Sequence, residues 1–162
     1  MSKQSIWGIV VAVVVVVAVV LVVVLVPAKT SSPTNSNTLS AAQKTADSKT
    51  VETNFKTFFA INTTMSQRES LLQNGSQFAQ PMTAEFTQLV NEKPSVTVNS
   101  VTFTNKTTAK VIYTVDINGQ PVLKNQTGQS VLVNNTWKVG DSTLCQLLSL
   151  GGSTPAVCKN VS

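Results

Sequence analysis

Histidine is absent from this chain of 162 residues. That gap removes the commonest general base near neutral pH and the commonest transition-metal ligand. Cysteine is scarce: Cys145 and Cys158 are the only two. They are too few for a four-ligand zinc site, and without histidine the remaining ligands would all have to be carboxylates. A disulfide is the better reading for the pair, provided this part of the chain sits outside the cytosol. Charged residues are also thin, at 12 %. The formal net charge of +5 hints at an anionic partner, but Lys3, Lys29 and Lys44 lie outside or at the edge of the folding region. From Thr45 onward, nine basic and seven acidic side chains leave only +2. The lysines there are scattered singly, so no nucleic-acid footprint is expected. No recognisable catalytic set, metal site or cofactor motif remains.

What the sequence has in excess is a valine-rich run at its start. From Ile6 to Val26 the only hydrogen-bonding side chain is the indole of Trp7. At helical rise this length spans about 30 Å, the thickness of a bilayer core. Valine loses rotamer freedom in a helix, yet in lipid no other partner exists for the backbone, so such a run must be helical there. Pro27 ends it. The h-region of a secretory signal is about 7–15 residues, shorter than this run, which favours a retained signal anchor. The alternative is cleavage before Lys29, with Val26 and Ala28 as the small residues flanking the cut. The charge difference across the span is slight, so the orientation leans on the cysteine pair and on the uncharged stretch after Thr30. The expected organisation is a cytoplasmic N-terminus at 1–5, a transmembrane helix at 6–27, a flexible Ser/Thr/Asn-rich linker at 28–44, and an extracytoplasmic domain at 45–162. The expected address is the cell membrane, single-pass, with the C-terminal domain outside.

The domain begins with a helical stripe: Val51, Phe55, Phe58 and Phe59 share one face of a helix capped by Asp47. A second helix follows in "SQRESLLQNG", with Ser66 and Glu69 as a capping box and Asn74-Gly75 as its stop. Pro81 opens a third, whose apolar face is Phe86, Leu89 and Val90, and Pro94 forbids its continuation. From Ser95 the period falls to two, with a slip at Asn99-Ser100 that marks a bulge. Ala109 to Ile117 alternates cleanly up to Asn118-Gly119, a strong hairpin signal, and the chain returns through Pro121-Val122-Leu123. Gly128 is expected to bend or interrupt the returning strand. Asn134-Asn135 can take positive φ in a second hairpin that leads to Trp137 and Val139. A last helix, capped by Asp141 or Ser142, buries Leu144, Leu147 and Leu148 and stops at Gly151-Gly152. The fold class is therefore α+β: three helices, a curved antiparallel sheet of about four strands, and a C-terminal helix.

That order, and "SVLVNNTWKVGDSTLCQLLSLGG" in particular, resembles the C-terminal domain of the low-molecular-weight secreted antigen family of mycobacteria and related actinobacteria. The matching elements are Val131 and Val133, the Asn134-Asn135 turn, Trp137, the Ser142 region, and Leu147-Leu148 before Gly151. The resemblance implies an exported or surface antigen without enzymatic activity. It also implies a cone-shaped fold of the nuclear-transport-factor-2 or cystatin type. Such a cone can enclose a pocket, and Phe58, Phe86, Tyr113 and Trp137 are the candidate lining residues. If they instead fill the interior, a pocket there loses its support. Some enzymes of this shape pair a tyrosine with acids, but Tyr113 and Asp116 are three apart in one strand and point to opposite faces. Tyr113 reads as a core residue with its hydroxyl at the rim.

Cys145 and Cys158 can close a short loop from the last helix onto the tail, a structural disulfide rather than a redox pair. Lys106, Lys110, Lys124 and Lys138 on the hairpins read as a solvated face. The expected function is a membrane-anchored, non-enzymatic, antigen-like binding or structural domain with no cofactor. The alternatives are an accessory subunit of an envelope transport or secretion complex, and a small lipid- or ligand-binding cone. The partner beyond the membrane is left open.

Overall fold

The computed structural model describes residues 38–152 and 154–161. The expected cytoplasmic segment at 1–5, the spanning helix at 6–27 and the linker up to residue 37 lie outside the described residues. Among the described residues, no helix is long and apolar enough to cross a membrane.

Helix α1 runs from Ala41 to Phe59. Its N-cap is Ser40, whose hydroxyl accepts from the Gln43 amide at 3.2 Å, so Asp47 lies inside the helix and is not its cap. Ser40 followed by two alanines is a start signal with stronger helix propensity behind it than the stretch after Asp47. Residues 41–46 are exposed on every side, and the apolar stripe Val51, Phe55, Phe58 and Phe59 is buried.

Helix α2, Met65–Leu71, is capped by Thr64 with Gln67 reciprocating, not by Ser66 with Glu69. Both quartets fit the capping pattern, and the one that forms allows Arg68 to turn inward. Gly75 does not stop this helix; it starts the next, α3, Gly75–Leu89. A side chain at Gly75 would overlap the Glu69 carbonyl, so glycine is needed here for close backbone approach rather than for termination. Pro81 therefore sits inside α3 rather than in its first turn. A 3₁₀ turn, Val90–Glu92, and Lys93 at φ 44° lead into the sheet.

The sheet is an antiparallel meander in the order β1 (Pro94–Phe103), β2 (Thr108–Ile117), β3 (Gln120–Val133), β4 (Thr136–Val139). It curls into a half-barrel. The β1–β2 register shifts between Val98 and Ser100, where the bulge is expected. Asn118 and Gly119, at φ 51° and 74°, make the two-residue turn between β2 and β3; Asn134 and Asn135, at 50° and 60°, make the turn between β3 and β4. The irregularity in the returning strand falls at Asn125, φ 51°, where the pairing with β2 shifts between Tyr113 and Val115. Gly128 does not interrupt the strand. A β-carbon there would stand 2.8 Å from Tyr113 Cε1 and 3.0 Å from Thr143 Cγ2, so the missing side chain makes room for the Tyr113 ring.

Helix α4, Asp141–Leu150, starts after Gly140 without a side-chain cap. Asp141 instead accepts from the Asn74 amide at 3.1 Å and from Asn74 Nδ2, tying α4 to the loop between α2 and α3. The helix ends at Gly151, and a 3₁₀ segment, Ala156–Asn160, follows. A disulfide joins Cys145 to Cys158, with Cα atoms 5.5 Å apart. The α+β class, with three helices before the sheet and one after it, is the observed architecture. α1 packs against β1 and β4, α2 against α3, and α4 against β3.

Candidate functional site

The four aromatic residues expected to line a pocket divide between the core and one cavity wall. Phe58 and Tyr113 are fully buried and Trp137 is 3 % exposed. Trp137 packs on Phe103, centroids 5.3 Å apart, and its carbonyl accepts from Asn54 Nδ2. Tyr113 stacks on Phe59 at 6.2 Å and lies 5.7 Å from Phe55. Phe58 meets Phe86 edge-on at 6.0 Å. The interior of the half-barrel is thus filled by aromatic packing.

The Tyr113 hydroxyl is not at a rim. It is buried without a hydrogen-bond partner, and burial pushes its pKa up to about 12. Asp116 faces away from that core, accepting from Thr97 Oγ1 at 3.4 Å. The two side chains form no acid–base pair.

Of the four, Phe86 lines a cavity that opens where the strand ends and helix ends meet. Its volume is about 260 Å³. Phe59 comes from the end of α1, Phe86 and Leu89 from α3, Val115 from β2 and Leu123 from β3. Leu144, Leu147, Leu148 and Leu150 supply the α4 side. Val122 and Leu150, on this wall, are the most exposed large apolar side chains among the described residues, at 54 % and 58 %. Glu85 is its one titratable residue. A second hollow, of about 360 Å³, is lined mainly by polar side chains such as Gln73, Asn74 and Gln129, with the carboxylate of Asp141 already engaged by Asn74.

Arg68 positions one side of the apolar mouth. It is 3 % exposed, and its guanidinium donates to the carbonyls of Phe58 and Ala60 at the end of α1. The same group lies 3.7 Å from the centroid of the Phe86 ring. Burial pulls its pKa down to about 10, which leaves it charged at neutral pH. A cation at a helix C-terminus meets the negative end of the dipole and satisfies orphan carbonyls. Nothing in the helix patterning singled out Arg68; the available signal was that it is the chain's only arginine, among eleven lysines.

Among the described residues no group of three or more cysteine, aspartate or glutamate side chains is placed to hold a metal. The curled sheet, the order of the helices and the apolar hollow all fall within residues 41–151. None of the curated proteins compared with the chain matches it. Residues 44–155, from within α1 to just past α4, match the family model described as the low molecular weight antigen MTB12, C-terminal domain, and the chain belongs to that family.

Proposed function

We propose that the protein is a non-enzymatic binding module held outside the cytosol on a single N-terminal spanning helix, and that its ligand is a hydrocarbon chain seated in the mouth cavity. The observation that carries this reading is the cavity itself: an accessible hollow walled by aliphatic and aromatic side chains, with a single carboxylate. Ligand sites have this character, a mostly apolar lining with few polar groups. Its wall holds no nucleophile and no second titratable group to exchange a proton with Glu85, which supports binding over catalysis.

The volume fits on the order of eight methylene groups, taking each as about the 30 Å³ of a water molecule. Burying eight methylenes gains roughly 6 kcal/mol before association costs, so the affinity would be no tighter than tens of micromolar. The address is supported by the apolar run from Ile6 to Val26 and by the disulfide, since structural disulfides persist in oxidising compartments.

Two measurements test the reading. Titrating decanol into the full-length protein in phosphatidylcholine nanodiscs should move the methyl resonances of Leu147, Leu148 and Val115 and leave Val139 in place; no movement at the first three would refute ligand binding. Protease added to intact spheroplasts should digest the domain, which should fractionate with membranes. Protection of the domain would refute the orientation.

A further inference from the structure

The mouth cavity has a sign as well as a shape. Glu85 is half-buried, and its Oε1 lies 3.8 Å from where a β-carbon on Gly151 would stand. Gly151 is the C-cap of α4, and the C-terminal end of a helix carries partial negative charge. A carboxylate and a helix end of the same sign therefore face one opening. No lysine or arginine is part of the cavity wall. Arg68 stands against the Phe86 ring, buried, and is committed to the Phe58 and Ala60 carbonyls.

Resting on the binding reading above, we propose that the cavity selects its ligand by head group. It takes a single hydrocarbon chain carrying a neutral or cationic head, such as an alcohol or an amine, and Glu85 turns away the carboxylate of a fatty acid. The chain gains the same apolar burial whatever its head, so the discrimination comes from the charge at the mouth. Two like charges about 5 Å apart disfavour the anion about fourfold at fully aqueous screening, and more where water is partly excluded. Glu85 is then the specificity-determining residue, and the aliphatic wall supplies affinity without choice.

The test uses the full chain in phosphatidylcholine nanodiscs at pH 7. Three decyl probes carry a photoreactive diazirine near the chain end and differ only in their heads: hydroxyl, ammonium and carboxylate. Labelled peptides are mapped by mass spectrometry. The hydroxyl and ammonium probes should label the α4 segment containing Leu147 and Leu150 at least about fourfold more than the carboxylate probe. Glu85→Gln should bring the carboxylate probe to within about twofold of the alcohol. Glu85→Lys should reverse the order, placing carboxylate above ammonium, a result that loss of folding cannot produce. Equal labelling by all three probes in the unmodified chain would overturn the head-group selection and leave ligand binding standing. A preference for carboxylate would overturn it as well. Absence of label on α4 with every probe would overturn both the selection and the binding reading.

Discussion

Replacing Tyr113 with phenylalanine removes one oxygen atom from the centre of the core, and the structure predicts that the protein gains stability from the loss. The hydroxyl is fully buried and makes no hydrogen bond. Leaving such a group unsatisfied costs about 1–3 kcal/mol, and the small void left by its removal returns part of that cost. A net stabilisation of about 1 kcal/mol is expected at pH 7. The gap should widen in alkali. Burial raises the folded-state pKa of Tyr113 from 10.0 to about 12. Below pH 10 both states keep the phenolic proton and nothing changes. Between pH 10 and about 12 the unfolded chain releases that proton while the folded protein holds it, so the wild type loses stability as pH rises. Each pH unit removes about 1.4 kcal/mol, so roughly 3 kcal/mol is lost across the window. The phenylalanine variant has no such group and escapes this loss. The assay is urea denaturation followed by Trp137 fluorescence in a Trp7→Phe background, run at pH 7, 9, 10 and 11. A variant destabilised by more than 1 kcal/mol at pH 7, with the same gap at pH 11, would refute the reasoning and show that the hydroxyl has a partner.

Three further perturbations probe other parts of the fold. Arg68→Lys should cost roughly 2 kcal/mol in urea, because an ammonium cannot bond both the Phe58 and Ala60 carbonyls while stacking on Phe86; an unchanged midpoint would contradict that role. Gly128→Ala should lower stability by about 2 kcal/mol, since the new methyl would stand 2.8 Å from Tyr113 Cε1; a calorimetric midpoint equal to wild type would show that the ring can move aside. Replacing Cys145 and Cys158 together by serine frees a segment with a sequence separation of 13 and should cost about 3 kcal/mol in the chain-entropy account; reduction of the wild type should reproduce the loss, and insensitivity to both would remove the tail as a constraint.

The sheet was legible in the sequence because its turns are specified locally. Asn118-Gly119 and Asn134-Asn135 are residues that tolerate positive φ, and each lies between runs of period two, so turn and register could be read from a few neighbours. Helix boundaries were less legible, because the same residue types serve opposite ends. Gly75 reads as a stop when only the chain before it is considered, and the contact that requires a glycine there, with the Glu69 carbonyl, follows from how the turn folds back. Thr64 and Ser66 both offer a capping quartet, and the choice between them brings Arg68 to the end of α1. Gly128 could be recognised as special but not for the right reason, since its neighbour Thr143 comes from a helix and Tyr113 from another strand.

The cavity was the least legible feature. Phe86 was foreseeable as an aromatic residue on an amphipathic helix, and Leu147 and Leu148 as the buried face of the last one. That Phe59, Val115 and Leu123 close the same hollow depends on pairing across the curled sheet, which periodicity along one strand does not encode. The aromatic residues chosen from sequence were those best able to fill a core, and the core is where Phe58, Tyr113 and Trp137 lie.

The meander has a consequence for the order in which the chain can fold. Each strand pairs with its sequence neighbour, so the hairpins can close as soon as they are synthesised. α1 is made before any of them, yet its apolar stripe packs against both β1 and β4, and Asn54 bonds the carbonyl of Trp137, 83 residues later. Phe58 can meet Phe86 once α3 is made and Phe55 and Phe59 wait for Tyr113 of β2, but the face of α1 that packs on β4 stays open to the end of the sheet, a period in which exposed apolar surface invites aggregation. A chain truncated before Trp137 should emerge not as a smaller version of this fold but as an aggregating species, because the cover over α1 is incomplete until the last strand arrives.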